Sequence, residues 1–393
     1  MHRYAPAAAA ALILAGFTAP ALAETAYRAA VLRVDKAGAM PISRLDLPPA
    51  DLGFAGGQLG NDDNATTGAF MGQIFTTEQV AATPETAGEA LEKLLGAGVE
   101  WVVVLADAPT TLALADQAGE RALIFNAGSS ADSLRGQDCR ANMLHLAPSD
   151  QMLADALAQY LAWKRWDEWV LIYGSHPEDQ DLAGAYRKAA TKFGLSIVAE
   201  KVYEDTGGAR RTDSGHIQVQ KQMPVFTQGF PAHDVVVSAD QAGVFADWLP
   251  WHTWDPRPVA GSAGLKPVSW HPAHEAWGGT QFHTRFEKLA GRAARPEDYN
   301  TWMALRVIGE GASRTSGGDR AAVEAFIRSE EFGLAAFKGQ GLNFRDWDGQ
   351  LRQPVLLVTD NVVASVSPQE EFLHQTSQLD TLGIDRPETG CKF

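Results

Sequence analysis

The sequence predicts an α/β protein built from two doubly wound lobes joined by a hinge of three chain segments. Three observations carry this. First, from Tyr27 onward short β-branched runs alternate with amphipathic stretches, the pattern of parallel sheets covered by helices. Second, that alternation runs through two similar series, and then the order changes to a helical block and a terminal hairpin. Third, the chain has 393 residues, more than one hydrophobic core usually organises, and 45% of them are apolar, enough for two cores.

Taken in order, the first series has strands expected at 28–33, 73–75, 101–105 and 122–125, with helical spacing at 85–95 and 110–118. Residues 145–149 read as a connector, and the Ser149-Asp150 cap signal opens a helix over 150–163. The second series places strands at 169–173, 196–202, 235–238 and 258–260, with a helix at 182–193. Beyond Gly264, 266–270 reads as a crossing strand. Helices at 280–290, 299–314 and 321–329 come before a strand at 342–344 and the antiparallel-looking pair 352–359 and 362–367. The expected division is 1–23 as a signal segment, 24–147 with 266–331 as one lobe, and 148–265 with 332–393 as the other.

The first residues carry a targeting signal. Met1, His2 and Arg3 lead into an apolar run from Ala7 to Phe17 and then Ala21-Leu22-Ala23, an Ala-x-Ala site with cleavage expected after Ala23. That run is shorter than the roughly 18–20 residues a membrane span needs, so an exported protein without membrane insertion is expected, in the periplasm and as a monomer. The net charge of −15 repels nucleic acid and anionic lipid. The two cysteines, Cys139 and Cys391, would form one disulfide in an oxidising compartment and tie down the C-terminal tail; two separate buried thiols are the alternative.

Catalytic signatures are missing. There is no Gly-x-Ser-x-Gly elbow, because Gly261-Ser262-Ala263-Gly264 is one residue short, and no Gly-x-x-x-x-Gly-Lys-Ser/Thr phosphate loop. His271, His274 and Glu275 lack the second histidine of a His-Glu-x-x-His zinc motif, and a hydrogen-bonded structural cluster is expected there. A binding protein and not an enzyme is therefore expected, with no cofactor. In doubly wound sheets ligands sit beyond the carboxyl ends of the strands, which directs attention to the loops 106–111, 126–132, 174–179 and 240–243. Asp107, Asp132, Glu178 with Asp179, and Asp240 lie there. They read either as separate helix caps or as carboxylates converging on a cation. Trp248, Trp251 and Trp254, three residues apart, read as core or as a stacking surface for a flat ligand.

Several segments together resemble the leucine-binding (type I) periplasmic solute-binding proteins of ABC transporters: the strand and loop 123–130, the crossover 146–150, the strand 170–174 and the turn 341–351. The resemblance spans nearly all of the chain after the signal segment. It implies two lobes closing on a small-molecule or metal-ion ligand and delivery to an inner-membrane ABC permease, with a ligand-sensing receptor as the alternative. It also implies that Ser129 and Ser130, on the loop opened by Asn126, hold a ligand carboxylate; a plain helix N-cap role is the alternative reading of the two serines. Glu178 falls where leucine binders carry an aromatic residue over the ligand, and Asp240 near a second such residue. Leucine binders then place an acid after the next strand, where this chain reads Gly261 to Gly264. The expected ligand-binding set is thus Asp107, Asn126, Ser129, Ser130, Glu178 and Asp240. Residues 270–278, Asp298-Tyr299, 372–374, 379–383 and 387–391 resemble the subgroup that accompanies PQQ-dependent alcohol dehydrogenases. That likeness implies a lanthanide ion, PQQ or an alcohol-derived metabolite as cargo. The carboxylates near the strand ends lead to an expected acidic cleft that holds a cation or a positively charged group.

Overall fold

The computed structural model describes residues 24–35, 41, 43–206 and 218–393; the signal segment and its cleavage site lie outside them. The first series is β1 (Thr25–Val34), α1 (Phe54–Gly68), β2 (Gln73–Ala82), α2 (Ala87–Gly96), β3 (Trp101–Leu105), α3 (Ala108–Ala118), β4 (Leu123–Asn126) and β5 (Met143–His145). Its strands form one parallel sheet in the order β2-β1-β3-β4-β5. Every residue of β3 is buried, as an apolar β-branched run must be when helices cover both faces.

The second series is α4 (Asp150–Trp163), β6 (Glu168–Gly174), α5 (Pro177–Lys192), β7 (Ser196–Tyr203), α6 (Val219–Phe226), β8 (Val235–Ala239), the single turn α7 (Leu249–His252) and β9 (Val259–Gly261). It repeats the pattern in a parallel sheet ordered β7-β6-β8-β9. Ser149 caps α4 by accepting the Met152 N–H at 3.2 Å, as its sequence position predicts. In both sheets the strand order reverses beside the first strand, between β1 and β3 and between β6 and β8. A doubly wound sheet opens its ligand crevice at that point.

The remainder is β10 (Lys266–Val268), α8 (Gly279–Ala290), α9 (Pro296–Arg314), α10 (Arg320–Ile327), β11 (Leu334–Ala335), β12 (Gly341–Leu342), β13 (Val355–Val358) and β14 (Val363–Ser367). Although they follow the second series, α8 and α9 pack on α1, and Trp270, Phe282, Tyr299 and Trp302 share a core with Tyr27, Trp101 and Phe125. The segment 332–351, placed with the second lobe by the sequence reading, contributes Phe332, Leu334, Leu342, Phe344 and Leu351 to that same first core. The expected hairpin is present as β13 and β14, which join β10 in an antiparallel sheet beside α4.

Three chain segments run side by side between the two parallel sheets, and buried side chains bind them together. Gln353 donates to Leu146 O at 2.7 Å, and Gln350 donates to His145 O and Ala147 O. Lys338 donates to Ser269 O and to Pro354 O. Cys139 and Cys391 form the expected disulfide, with Cα atoms 5.6 Å apart. Among the described residues no helix is long and apolar enough to cross a membrane.

Candidate functional site

The crevice loops are built by residues that serve the backbone first. Asn126 ends β4 fully buried, and its amide holds the next turn: Oδ1 accepts the N–H groups of Gly128 and Ser129, and Nδ2 donates to Ser129 O at 2.8 Å. Nδ2 also meets Nδ1 of buried His145 at 3.1 Å. Burial next to Arg135 keeps that histidine well below its usual pKa, hence neutral. Asn126 thus shapes the site from beneath. Ser129 is buried and its hydroxyl accepts the Ala131 N–H, while the more accessible Ser130 accepts the Asp150 N–H on its carbonyl at 2.8 Å.

The acids divide sharply. Asp107 is the N-cap of α3, accepting the Thr110 N–H at 3.0 Å. Asp132 accepts the Gln151 N–H in the first turn of α4. Asp240 is buried and its two carboxylate oxygens receive three backbone N–H groups, from Val244, Phe245 and Ala246, at 2.7–2.8 Å. It holds the loop that follows β8 by both oxygens. Asp179 accepts the Ala242 N–H on Oδ1. Its buried Oδ2, which has no hydrogen-bond partner, lies where a Cβ on residue 174 would sit only 2.1 Å away, so the last residue of β6 must be glycine. Glu178 is exposed at the start of α5. Among the described residues no three His, Cys, Asp or Glu side chains come together as a metal-ligand set. The structure therefore brings Asn126, Ser129 and Ser130 together at one loop, leaves Asp107, Asp132 and Asp240 each holding backbone N–H groups, ties Asp179 to the Ala242 N–H by one oxygen, and leaves Glu178 exposed.

Asp150 links the two series. It is buried in the first turn of α4, its carboxylate accepts the Gln241 amide at 2.7 Å, and Ser130 also hydrogen-bonds it. Burial, reinforced by the charge of Asp132, pushes its pKa up to about 6.

A cavity of about 520 Å³ opens at the carboxyl ends of the first sheet, lined by Arg33, Asp35, Ala50, Leu105, Gly128 and Glu297, among others. The Arg33 guanidinium is engaged by Asp35, Ala50 O and Leu52 O. Glu297 is different: its Oε2 is buried without a hydrogen-bond partner, and burial raises its pKa. Sequence reading missed this residue because it arrives from α9, far along the chain. The Arg295-Pro296-Glu297-Asp298 run does carry a helix-start signal, with Pro at N1 and a capping box in which Asp298 accepts the Arg295 N–H at 2.9 Å. Asp298 also accepts the Gly53 N–H at 2.8 Å, which pins the start of α9 to the start of α1.

The histidine cluster is structural, as expected. Nε2 of His274 meets Phe337 O at 2.9 Å, Nε2 of His283 meets His274 O at 3.1 Å, and Nδ1 of His271 accepts the Ala273 N–H. Trp251, within the single turn of α7, and Trp254, just beyond it, are exposed.

Comparison with known proteins agrees with this architecture. The family model "Periplasmic binding protein" matches residues 74–361. A comparison with curated protein sequences gives no match. Among solved structures, an amino acid ABC transporter substrate-binding protein from Pseudomonas fluorescens is similar with a TM-score of 0.68 at 11% identity, covering 95% of this chain and 100% of that one. A leucine-, isoleucine-, valine-, threonine- and alanine-binding protein from Brucella ovis in its closed conformation gives 0.66 at 14% identity, covering 90% and 92%. An ABC transporter solute-binding protein from R. palustris in complex with benzoate gives 0.64 at 13%, covering 94% and 100%. With two parallel sheets, three crossing segments and a family match over most of its length, this chain belongs to the periplasmic binding protein family, in its type I, leucine-binding-like form, the solute-binding components of ABC transporters.

Proposed function

We propose that this protein captures a small organic solute bearing an amine or another strong hydrogen-bond donor, and presents it to an inner-membrane ABC permease. It acts as a receptor and not as a catalyst. The observation that carries the reading is the orphaned Oε2 of Glu297 in the cavity at the carboxyl ends of the first sheet. A buried carboxylate oxygen without a donor costs free energy, and a ligand ammonium placed there removes the cost. Gly128 lines the same cavity, which supports a role for the adjoining Ser129-Ser130 loop in taking a carboxylate on the same ligand. A volume of about 520 Å³ suits a small solute.

The jaws are the two parallel sheets with their helices, 24–147 and 266–331 on one side and 148–265 with the terminal hairpin on the other; segment 332–351 is counted with the first because of its core contacts. Closure brings the loops around Glu178 and Gln241 over the ligand. A link to PQQ-dependent alcohol oxidation rests on the resemblance of residues 270–278 and 372–391 alone. A lanthanide cargo draws no support from the acids, because Asp107, Asp132 and Asp240 accept backbone N–H groups.

The test is calorimetry and thermal shift on the exported protein with amino acids, small amines, lanthanum, calcium and PQQ. We expect an amine-bearing solute to bind and Glu297→Gln to weaken it by about tenfold or more. Tight binding of a metal ion or PQQ alone, or full amine affinity in Glu297→Gln, would overturn the reading.

A further inference from the structure

A larger cavity, about 970 Å³, lies away from the strand ends, between α1, α8, α9 and the segment 333–341. Its chemistry differs from that of the rest of the molecule. The protein carries a net charge of −15, yet this lining holds two guanidiniums, Arg285 and Arg306, against the single carboxylate of Asp63. Asp63 is already engaged, by Arg285 at 2.6 Å and by Nε1 of Trp302 at 2.9 Å. Arg306 is half-buried on α9, and its one hydrogen bond goes to Oδ1 of Asn64. No carboxylate among the described residues lies within ion-pair distance of it. A guanidinium has five N–H donors in a planar fork, so most of this one's capacity is unused.

The aromatic walls are held under strain. The Trp302 ring stacks on Phe337, with centroids 5.5 Å apart and planes at 26°. Trp277 is 53% exposed and rests on Gly339, where an added Cβ would meet the indole at 2.7 Å. Both Trp277 (φ 51°) and Phe337 (φ 57°) occupy the left-handed region, which bulky residues rarely adopt. The fold thus holds an exposed indole and a phenyl ring in unfavourable backbone conformations, in one cavity with an underused arginine.

We infer that this cavity is a second ligand site, separate from the crevice, for a planar carboxylate: the carboxylate pairs with Arg306 and the flat ring stacks on Trp277. The two halves of the recognition are independent, charge from α9 and stacking from the turn before α8. A ligand with both should therefore bind better than one with either.

The probe is 2-naphthoate, titrated into the exported protein by calorimetry and by quenching of tryptophan fluorescence. Acetate supplies the charge without the ring, and 2-naphthalenemethanol the ring without the charge. We expect naphthoate to bind about tenfold or more tightly than either. Arg306→Gln and Trp277→Ala should each weaken it by a similar factor, Arg306→Lys should restore part of the loss, and Glu297→Gln should leave it unchanged. Melting curves of each variant establish that it is folded. If wild type fails to bind naphthoate at millimolar concentration, or if Arg306→Gln and Trp277→Ala bind it like wild type, the site does not exist. Loss of naphthoate in Glu297→Gln with retention in Arg306→Gln would place the probe in the crevice and overturn the inference, leaving the amine reading to its own test.

Discussion

Asp240 and Glu297 both sit near the carboxyl ends of parallel strands, one on each sheet, and they have opposite status. Asp240 receives three backbone N–H groups, which occupy most of its acceptor capacity. Glu297 is poorer in partners and keeps one oxygen buried with none. Counting acids near strand ends treats the two alike; counting their hydrogen bonds separates a residue that builds the loop from one that waits for a donor.

The largest expected effect that sharpens this contrast is Asp240→Ala. Stripping three N–H groups of a buried loop should cost about 3–5 kcal/mol, read as a fall in the denaturation midpoint of the ligand-free protein. Asp240→Asn, which keeps one acceptor oxygen, should cost clearly less. A loss below about 1 kcal/mol in Asp240→Ala would mean that the cap is dispensable and that the acid is held there for something else.

Asn126 provides the same kind of test on the first sheet. It makes four polar contacts beneath the loop, whereas the Ser129 hydroxyl makes one. Asn126→Ala should therefore lower stability by about 2–3 kcal/mol and Ser129→Ala by about 1 kcal/mol or less. Equal losses would break the distinction between a residue that positions the loop and one that lines it.

Asp150 adds a pH signature. Its pKa is raised in the folded protein to about 6 from an ordinary 3.8. The folded state therefore holds the proton more tightly than the unfolded one. Its stabilising contribution is complete below about pH 4 and is lost as the pH rises through about 6. Asp150→Asn should thus be more stable than wild type at pH 7.5, by up to about 3 kcal/mol at 1.36 kcal/mol per pKa unit, and the advantage should vanish near pH 4. A constant difference from pH 4 to 7.5 would show that the carboxylate is not strained by burial.

Much of the fold could be read from the sequence because its signals are local. Ser149 marks the start of α4 to the residue, and the run 101–105 is a strand with the bounds its composition suggests. Helix α1 could not be read. Its sequence is rich in Gly, Asn and Asp and has no apolar stripe, because its glycines allow close approach to α9: a Cβ on Gly56 would sit 1.9 Å from Asp298 O. A helix selected for backbone proximity carries no periodic hydrophobic signal. The site divides in the same way. The loop 126–130 was legible from its position after a strand, but Glu297 was not, since its placement depends on Asp298 accepting the N–H of Gly53, 245 residues away.

The smallest effect expected is on the ligand-free stability of Glu297→Gln, and it bears most directly on the difference between Asp240 and Glu297. Replacing a carboxylate whose buried oxygen has no donor removes a desolvated charge, while the amide that takes its place leaves an N–H₂ in the same cavity. The two consequences oppose each other. Burial raises the Glu297 pKa, so in wild type its carboxylate is least costly at low pH, where it is protonated, and most costly above neutrality. The variant should accordingly match wild type within about 1 kcal/mol at pH 7.5, on the stable side if on either, and lose any advantage as the pH falls toward 4. With amine ligand present the order should reverse, because wild type gains stability through binding and the variant gains less. A Glu297→Gln protein that is strongly destabilised without ligand would place Glu297 beside Asp240 as a structural cap, and the distinction between the two acids would fall.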